Sequence, residues 1–255
     1  NNSDQINWSS KTLYTYINKG LLQAKPIDMP RAVRRKPKKN KSINHKVDSK
    51  CRQGRNFDDY HAYMEEHPDS IVCQIDTVEG TKGGKCILTL CFVTLKFQFG
   101  ILREHNDSHS VTQAFQYLYS IMDHNLFHLL FDVILTDNGT EFSNPTAIES
   151  LDDNDIHPHV FYCEPNRSDQ KGACENDHSN FRRIVPKGTN MDSYTQELID
   201  LIFSHVNSFS RTSLNGHTPY ESFRFLYGQG ILDLWHIRYI KPNDVILKPF
   251  LVNQF

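Results

Sequence analysis

Three carboxylates carry the chemistry this sequence can do. Asp76 ends the apolar run 71–75 (Ile-Val-Cys-Gln-Ile), Asp137 ends the run 133–136 (Val-Ile-Leu-Thr), and Glu175 lies early in a helical stretch at 173–185. A carboxylate at the end of a buried strand is costly unless something neutralises it. A pair of divalent cations would do so. Two hard ions held about 3.5–4 Å apart by carboxylate oxygens activate an attacking hydroxyl and stabilise the leaving oxygen of a phosphodiester displaced in line. Taken singly, each acid has a plainer role. Asp137-Asn138-Gly139 is a hairpin-turn signal, because Asn and Gly tolerate positive φ. Asp76 can cap the next segment, and Glu175 can be a solvated helix residue. Only their joint placement points to metal.

The elements that must position them follow from periodicity. Residues 71–79, 86–94 and 97–104 are short runs rich in Val, Ile, Leu, Phe, Cys and Thr. The first two are separated by Thr81-Lys82-Gly83-Gly84, which predicts an antiparallel meander. From Ser108 the period changes, with Val111, Ala114, Phe115, Leu118 and Ile121-Met122 at three- and four-residue spacing, so a long amphipathic helix is expected, broken near His124-Asn125. The strand predicted at 131–136 therefore follows a helical crossover, which makes it parallel to the first. If the first and fourth strands are neighbours, both Asp carboxylates emerge at one sheet edge. A weak helix at 144–149, a strand at 160–163 and a polar loop at 166–172 come next. Cys174, His178, Phe181 and Val185 then form a stripe that can pack on the sheet, with Glu175, Ser179 and Arg182 beside it. Among the other acids, Glu141 after the turn and Asp169 in the loop rank next as metal contacts, while Glu79 and Asp132 read as structural or exposed.

These residues resemble a known family. The segments 74–80 (Gln-Ile-Asp-Thr-Val-Glu-Gly), 136–142 (Thr-Asp-Asn-Gly-Thr-Glu-Phe) and 170–176 (Gln-Lys-Gly-Ala-Cys-Glu-Asn), with Arg182-Arg183 and Pro186-Lys187-Gly188-Thr189, resemble the bacterial DDE transposases of the IS-thirty type. The runs 214–221 and 246–249 also look like that family. The resemblance implies an α/β fold: a ribonuclease H-like, integrase-type core with a mixed five-stranded sheet flanked by helices. It implies Asp76, Asp137 and Glu175 as ligands of two Mg2+ ions, for which Mn2+ can substitute. The implied reaction is hydrolysis at the ends of the element, then attack of the freed 3′-hydroxyl on target DNA. Two details depart from the pattern: the acidic stretch 149–155 lengthens the gap between Asp137 and Glu175, and Glu164 stands where Asp is expected.

Charge divides the chain. The total is −2, but residues 1–55 carry +11 and the remainder −13. The densest part, 31–41, has seven basic residues in eleven, and Arg31, Arg34, Arg35, Lys36, Lys38 and Lys39 are suited to phosphate neutralisation. Lys171, Arg182, Arg183 and Lys187, around Glu175, are further expected DNA contacts. Upstream, residues 9–17 read as a capped helix with Leu13, Tyr16 and Ile17 on one face. That helix resembles the recognition helix of the family's helix-turn-helix, which places Ser10, Lys11, Thr12 and Thr15 near base edges or phosphates. The chain begins at Asn1, without Met and close to this helix, so a truncated product that has lost part of its DNA reader is expected.

The organisation predicted is a partial helix-turn-helix segment at 1–30, a basic linker at 31–65, a catalytic core at 66–210 and a helical extension at 211–255. The longest apolar stretch, 86–95, is too short to span a bilayer and no signal-peptide pattern is present, so a cytoplasmic, nucleoid-associated protein without a membrane partner is expected. The six Cys have no C-x-x-C pair and the 13 His show no zinc spacing, so the Cys read as reduced core residues. Double-stranded DNA, comprising the element's terminal inverted repeats and target, is the expected partner, bound by a homo-oligomer because two ends must be held. A non-catalytic DNA-binding remnant and a nuclease acting on RNA or hybrids are the competing readings. Neutralising Arg34, Arg35, Lys38 and Lys39 together is expected to weaken binding to every duplex and to reduce the slope of log affinity against log salt by about 3–4. A salt titration that leaves the slope unchanged would remove the arm from the phosphates.

Overall fold

The computed structural model describes residues 8–26, 49–151, 158–165, 167, 170 and 179–254. They fall into two units, divided between Lys46 and Val47. The first contains helix α1, Ser10–Asn18, whose N-terminus is closed by the Ser9 hydroxyl accepting from Thr12 N at 3.2 Å. Trp8 packs edge-on against Tyr16, and Ile17 is buried while Leu13 is exposed. The expected apolar face is therefore only partly covered within the described residues.

The second unit is α/β. Helix α2 (Phe57–Glu66) precedes strands β1 (Val72–Glu79), β2 (Cys86–Phe92) and β3 (Phe97–Arg103). Helices α3 (Ser108–Ile121) and α4 (His124–Leu130) lead to β4 (Val133–Thr136), α5 (Pro145–Glu149) and β5 (His159–Tyr162). Residues 179–184 are helical (α6), and α7 (Gln196–Asn207), α8 (Pro219–Tyr227) and α9 (Gln229–Leu234) follow. The sheet is mixed and five-stranded, in the order β3-β2-β1-β4-β5; β1 is antiparallel to β2 and parallel to β4. The expected meander and helical crossover are both present.

Local chemistry sets the ends of these elements. The crossover breaks at Met122-Asp123, slightly before the expected position, because the Asp123 carboxylate caps a new helix by accepting from Leu126 N. Phe131, expected in a strand, ends α4 instead. Thr218 and Glu221 form a capping box with Pro219 in the first turn, which starts α8 where the sequence predicts a helix. Residues 49–65, assigned to the basic linker, are folded in this unit: α2 lays Phe57, Tyr60, Tyr63 and Met64 over Val133, Leu135 and Phe161. Cys73, Cys86, Cys91 and Cys163 are buried in the core. No helix among the described residues is long and apolar enough to cross a membrane.

Both sheet edges are closed by side chains. Along β3, Gln98 N donates to Asn207 Oδ1 at 2.9 Å and Leu102 N to Gln196 Oε1 at 2.8 Å, while Gln196 Nε2 donates to Gly100 O at 2.8 Å. Along β5, Val160 N donates to Glu149 and Tyr162 N to the Arg55 carbonyl, with Arg55 and Glu149 held to each other by a two-pronged ion pair. The unpaired N–H and C=O groups of an edge strand would otherwise recruit another chain.

Gln196 also donates to Asp200 Oδ1 at 2.7 Å, on a carboxylate that is only 8% exposed and that burial pushes up to about 6. A carboxyl group with a raised folded pKa contributes stability fully below its unfolded value of about 3.9 and loses it as pH rises through the folded value. Asp200→Asn is therefore expected to stabilise the chain by about 1–3 kcal/mol at pH 8, with the gain shrinking below about pH 6. Denaturant unfolding at pH 8 and 4.5 checks this, and an equal effect at both would contradict it.

Candidate metal centre

The two Asp residues lie level on neighbouring strands. Val72, Cys73 and Gln74 pair with Val133, Ile134 and Leu135, and the same register carried two residues further sets Asp76 opposite Asp137. Adjacent strands lie about 4.8 Å apart, and residues level with each other point to one face, so both carboxylates share one side of the sheet. Asp76 does not end its strand as the sequence suggested. It is the fifth of the eight residues in β1, and β4 is the strand that stops, at Thr136. β1 thus loses its parallel neighbour where the two acids meet, which leaves both half-buried.

The same face is covered on either side of the acids. Asp76, Thr89 and Gly100 are in register across β1, β2 and β3, and a Cβ on Gly100 would collide with Phe203 of α7. Phe203 stacks on Phe181 of α6. This places Arg182 near Asp76: burial pulls its guanidinium below the ordinary value, and the Asp76 charge opposes that shift. Its Nη1 is buried without a hydrogen-bond partner among the described residues. Arg183 and Lys187 are exposed, as is Lys11 in the first unit, while Thr12 is half-buried with its hydroxyl 2.9 Å from Ser9 Oγ.

Each Asp is oriented by a nearby amide. Thr77 N donates to Asp76 Oδ1 at 2.9 Å, and Gly139 N to Asp137 Oδ1 at 2.8 Å. The Asn138-Gly139 step is not the positive-φ hairpin turn that the sequence signalled. Gly139 has φ −59 and ψ 151, and a 3-10 turn follows at Thr140–Phe142. Glycine leaves space there: a Cβ would overlap the Glu141 carboxylate in its present position and come 3.0 Å from Asp137 Oδ1.

Glu141 is thereby folded back beside Asp137, a position its rank in the sequence did not foresee. Burial raises its pKa, the Asp137 charge raises it further, and a hydrogen bond from Thr77 and the charge of Arg103 pull it down. Arg103 is almost fully buried and donates to Thr77 Oγ1 at 2.8 Å, so Thr77 serves Asp76 through its amide and Glu141 through its hydroxyl. The signal was the spacing Asp-x-Gly-x-Glu, in which a missing Cβ lets the second carboxylate reach the first. The other competing acids have structural partners: Asp132 accepts from the Tyr63 hydroxyl at 3.3 Å and Glu79 from Asn106 Nδ2 at 2.8 Å.

Glu175, Lys171, Asp169 and the arm residues Arg31, Arg34, Arg35, Lys36, Lys38 and Lys39 lie outside the described residues. The described residues set Asp76 level with Asp137, Glu141 beside Asp137 and Arg182 near Asp76. No group of three or more His, Cys, Asp or Glu among them is arranged to hold a metal ion.

Comparison with known proteins narrows what this arrangement belongs to. The chain is 30% identical over 222 residues to the probable transposase of the insertion-like sequence element IS1161 of Streptococcus salivarius, a match that covers 82% of this chain and 56% of the relative. Two shorter matches span 62 residues, or 24% of this chain. One is the transposase of insertion sequence element IS1086 of Cupriavidus metallidurans (39% identical, 18% of the relative); the other is transposase InsI of insertion sequence element IS30A of Escherichia coli K12 (36% identical, 16% of the relative). The chain is a homologue of insertion-sequence transposases, those of IS30 among them. It spans about half the length, or less, of these curated relatives. No protein-family model matches it.

Burial of the Glu141 carboxyl, and to a smaller extent the charge of Asp137, hold its pKa above the ordinary value. Glu141→Gln is expected to raise the stability of this transposase homologue at pH 8 without metal, because the unfolded chain ionises Glu141 freely and the folded one does not. The gain should disappear once pH falls below the ordinary carboxylate range. Unfolding midpoints that do not change with this substitution at pH 8 would contradict the raised pKa of Glu141.

Proposed function

We propose that the chain is the catalytic part of a DDE transposase with a ribonuclease H-like core, which cleaves DNA at the ends of its element and joins those ends to target DNA. The observation that carries this reading is the level placement of Asp76 and Asp137 on neighbouring parallel strands, in a chain similar to insertion-sequence transposases over most of its length. The sheet order, with two antiparallel strand pairs beside two parallel ones, is compatible with that fold.

The donor set suits hard divalent cations. Asp76 and Asp137 offer carboxylate oxygens on one face, and Gly139 leaves room for a third carboxylate beside them. Asp76, Asp137 and Glu175 would hold Mg2+ or Mn2+. When bound, such ions supply charge stabilisation and an activated hydroxyl for an in-line phosphodiester displacement. The chain's own residues do the rest. The amides of Thr77 and Gly139 hold the two Asp carboxylates in one orientation, so little reorganisation is needed when a phosphate arrives. Arg182, half-buried near Asp76 and with Nη1 unpartnered among the described residues, would take a phosphate oxygen.

Duplex DNA is the substrate that fits this reading best. The basic arm at 31–41, with Arg183 and Lys187 exposed beside α6, would contact phosphates, and Lys11 and Thr12 of α1 would contribute to the reading of element ends. Two ends must be held for joining, so the working form is a homo-oligomer on DNA in the nucleoid.

The test is cleavage and strand transfer on a labelled duplex bearing the source element's end, with Mg2+, with Mn2+ and with EDTA. Nicking is expected with either metal and not with EDTA. Asp76→Asn, Asp137→Asn and Glu175→Gln should each reduce it by at least about 100-fold at nearly unchanged DNA affinity, since even the partner behind a metal ligand is worth about 10–100-fold. DNA binding with no metal-dependent product would instead describe a remnant that only occupies DNA.

A further inference from the structure

We infer that Arg52 is a positioning residue for Asp137, acting from outside the sheet through a single peptide group. The inference rests on Asp137 being part of the working site. β4 ends at Thr136, so no β4 ladder bond holds Asp137. What orients its carboxylate is Gly139 N, donating to Oδ1 at 2.8 Å. That N–H belongs to the peptide unit whose carbonyl is Asn138 O, and the unit is planar, so a group that holds the carbonyl also aims the N–H. Arg52 Nη2 donates to Asn138 O at 2.9 Å.

The surroundings keep Arg52 in that role. Its guanidinium lies over the Tyr162 ring, 5.4 Å from the centroid. The Tyr162 hydroxyl donates to Phe142 O at the far end of the same turn, and Asn138 Nδ2 donates to Cys163 O. The segment 137–142 is thus pinned at both ends, with Arg52 touching one pin and stacked on the residue that makes the other. Arg52 Nε is buried without a hydrogen-bond partner among the described residues. An arginine held with one donor unsatisfied is poorly explained as packing, which an uncharged side chain of the same length would supply without that penalty. A cationic donor on the carbonyl also polarises the peptide, which strengthens the N–H that faces Asp137.

The experiment compares the full chain with Arg52→Met and Arg52→Lys. Two readouts are taken besides thermal stability: the exchange rate of the Gly139 amide by NMR without metal, and Mn2+ affinity by calorimetry. Arg52→Met is expected to speed Gly139 exchange about tenfold, as for the loss of one charge-assisted hydrogen bond, and to weaken Mn2+ binding about 10–100-fold. Arg52→Lys keeps the charge and one donor within reach of the carbonyl, and should recover at least half of each loss on a logarithmic scale. A folded Arg52→Met chain with unchanged Gly139 exchange and Mn2+ affinity would overturn the inference. So would an Arg52→Lys chain that regains thermal stability while both readouts stay at the Met level. The exchange readout needs neither metal nor DNA. If the parent chain binds no Mn2+, the transposase reading fails, while faster Gly139 exchange in Arg52→Met still establishes the hold of Arg52 on Asp137.

Discussion

The parallel pairing of β1 with β4 is the constraint on which the rest of this structure depends. Parallel neighbours cannot be joined by a tight turn, so the chain must return through α3 and α4, and that crossover needs a face of the sheet to pack on. The register then decides which residues meet. A slip of one residue between β1 and β4 would put Asp76 and Asp137 on opposite faces. The apolar demands of Cys73, Ile75, Ile134 and Val160 on one side, and of Val133, Leu135 and Phe161 on the other, hold the register in place. The positions of the two acids are therefore a by-product of burying their neighbours.

The short length of β4 is as important as its register. Because β4 stops at Thr136 while β1 continues to Glu79, the sheet opens where the carboxylates lie, and the polar groups there are served locally. Thr77 divides its amide and hydroxyl between Asp76 and Glu141, and the peptide between Asn138 and Gly139 stands between Arg52 and Asp137. Elsewhere the sheet tolerates no such opening. Gln196, Asn207, Glu149 and Arg55 consume the outward-facing groups of β3 and β5, so the charged opening lies within the sheet and its edges are closed.

Much of this was legible in the sequence. The first three strands, the α3 helix and the start of α8 were expected within a few residues of where they occur, because alternation, helical spacing and a capping box are local signals. Asp76 and Asp137 were also legible as a pair, since the crossover helix implied parallel strands. Other features were not. Glu141 ranked behind the three acids because its reach back to Asp137 involves the missing Cβ of Gly139 and support from Thr77 and Arg103, which come from two other strands. Residues 49–65 read as part of the linker because nothing local marks them as core, and the aromatic side of α2 finds its partners on strands far along the chain.

The sequence by itself determined the kinds of element, their order and the candidacy of two aspartates, because each of those is written within a span of a few residues. Tertiary structure alone decided that Asp76 sits mid-strand and level with Asp137, that Gly139 serves for space and not for a positive φ, and that Arg52 reaches a carbonyl 86 residues away. The reason is physical. Register and long-range hydrogen bonds are chosen by which buried surfaces fit together, and that choice involves residues far apart in the chain, on which no local periodicity bears.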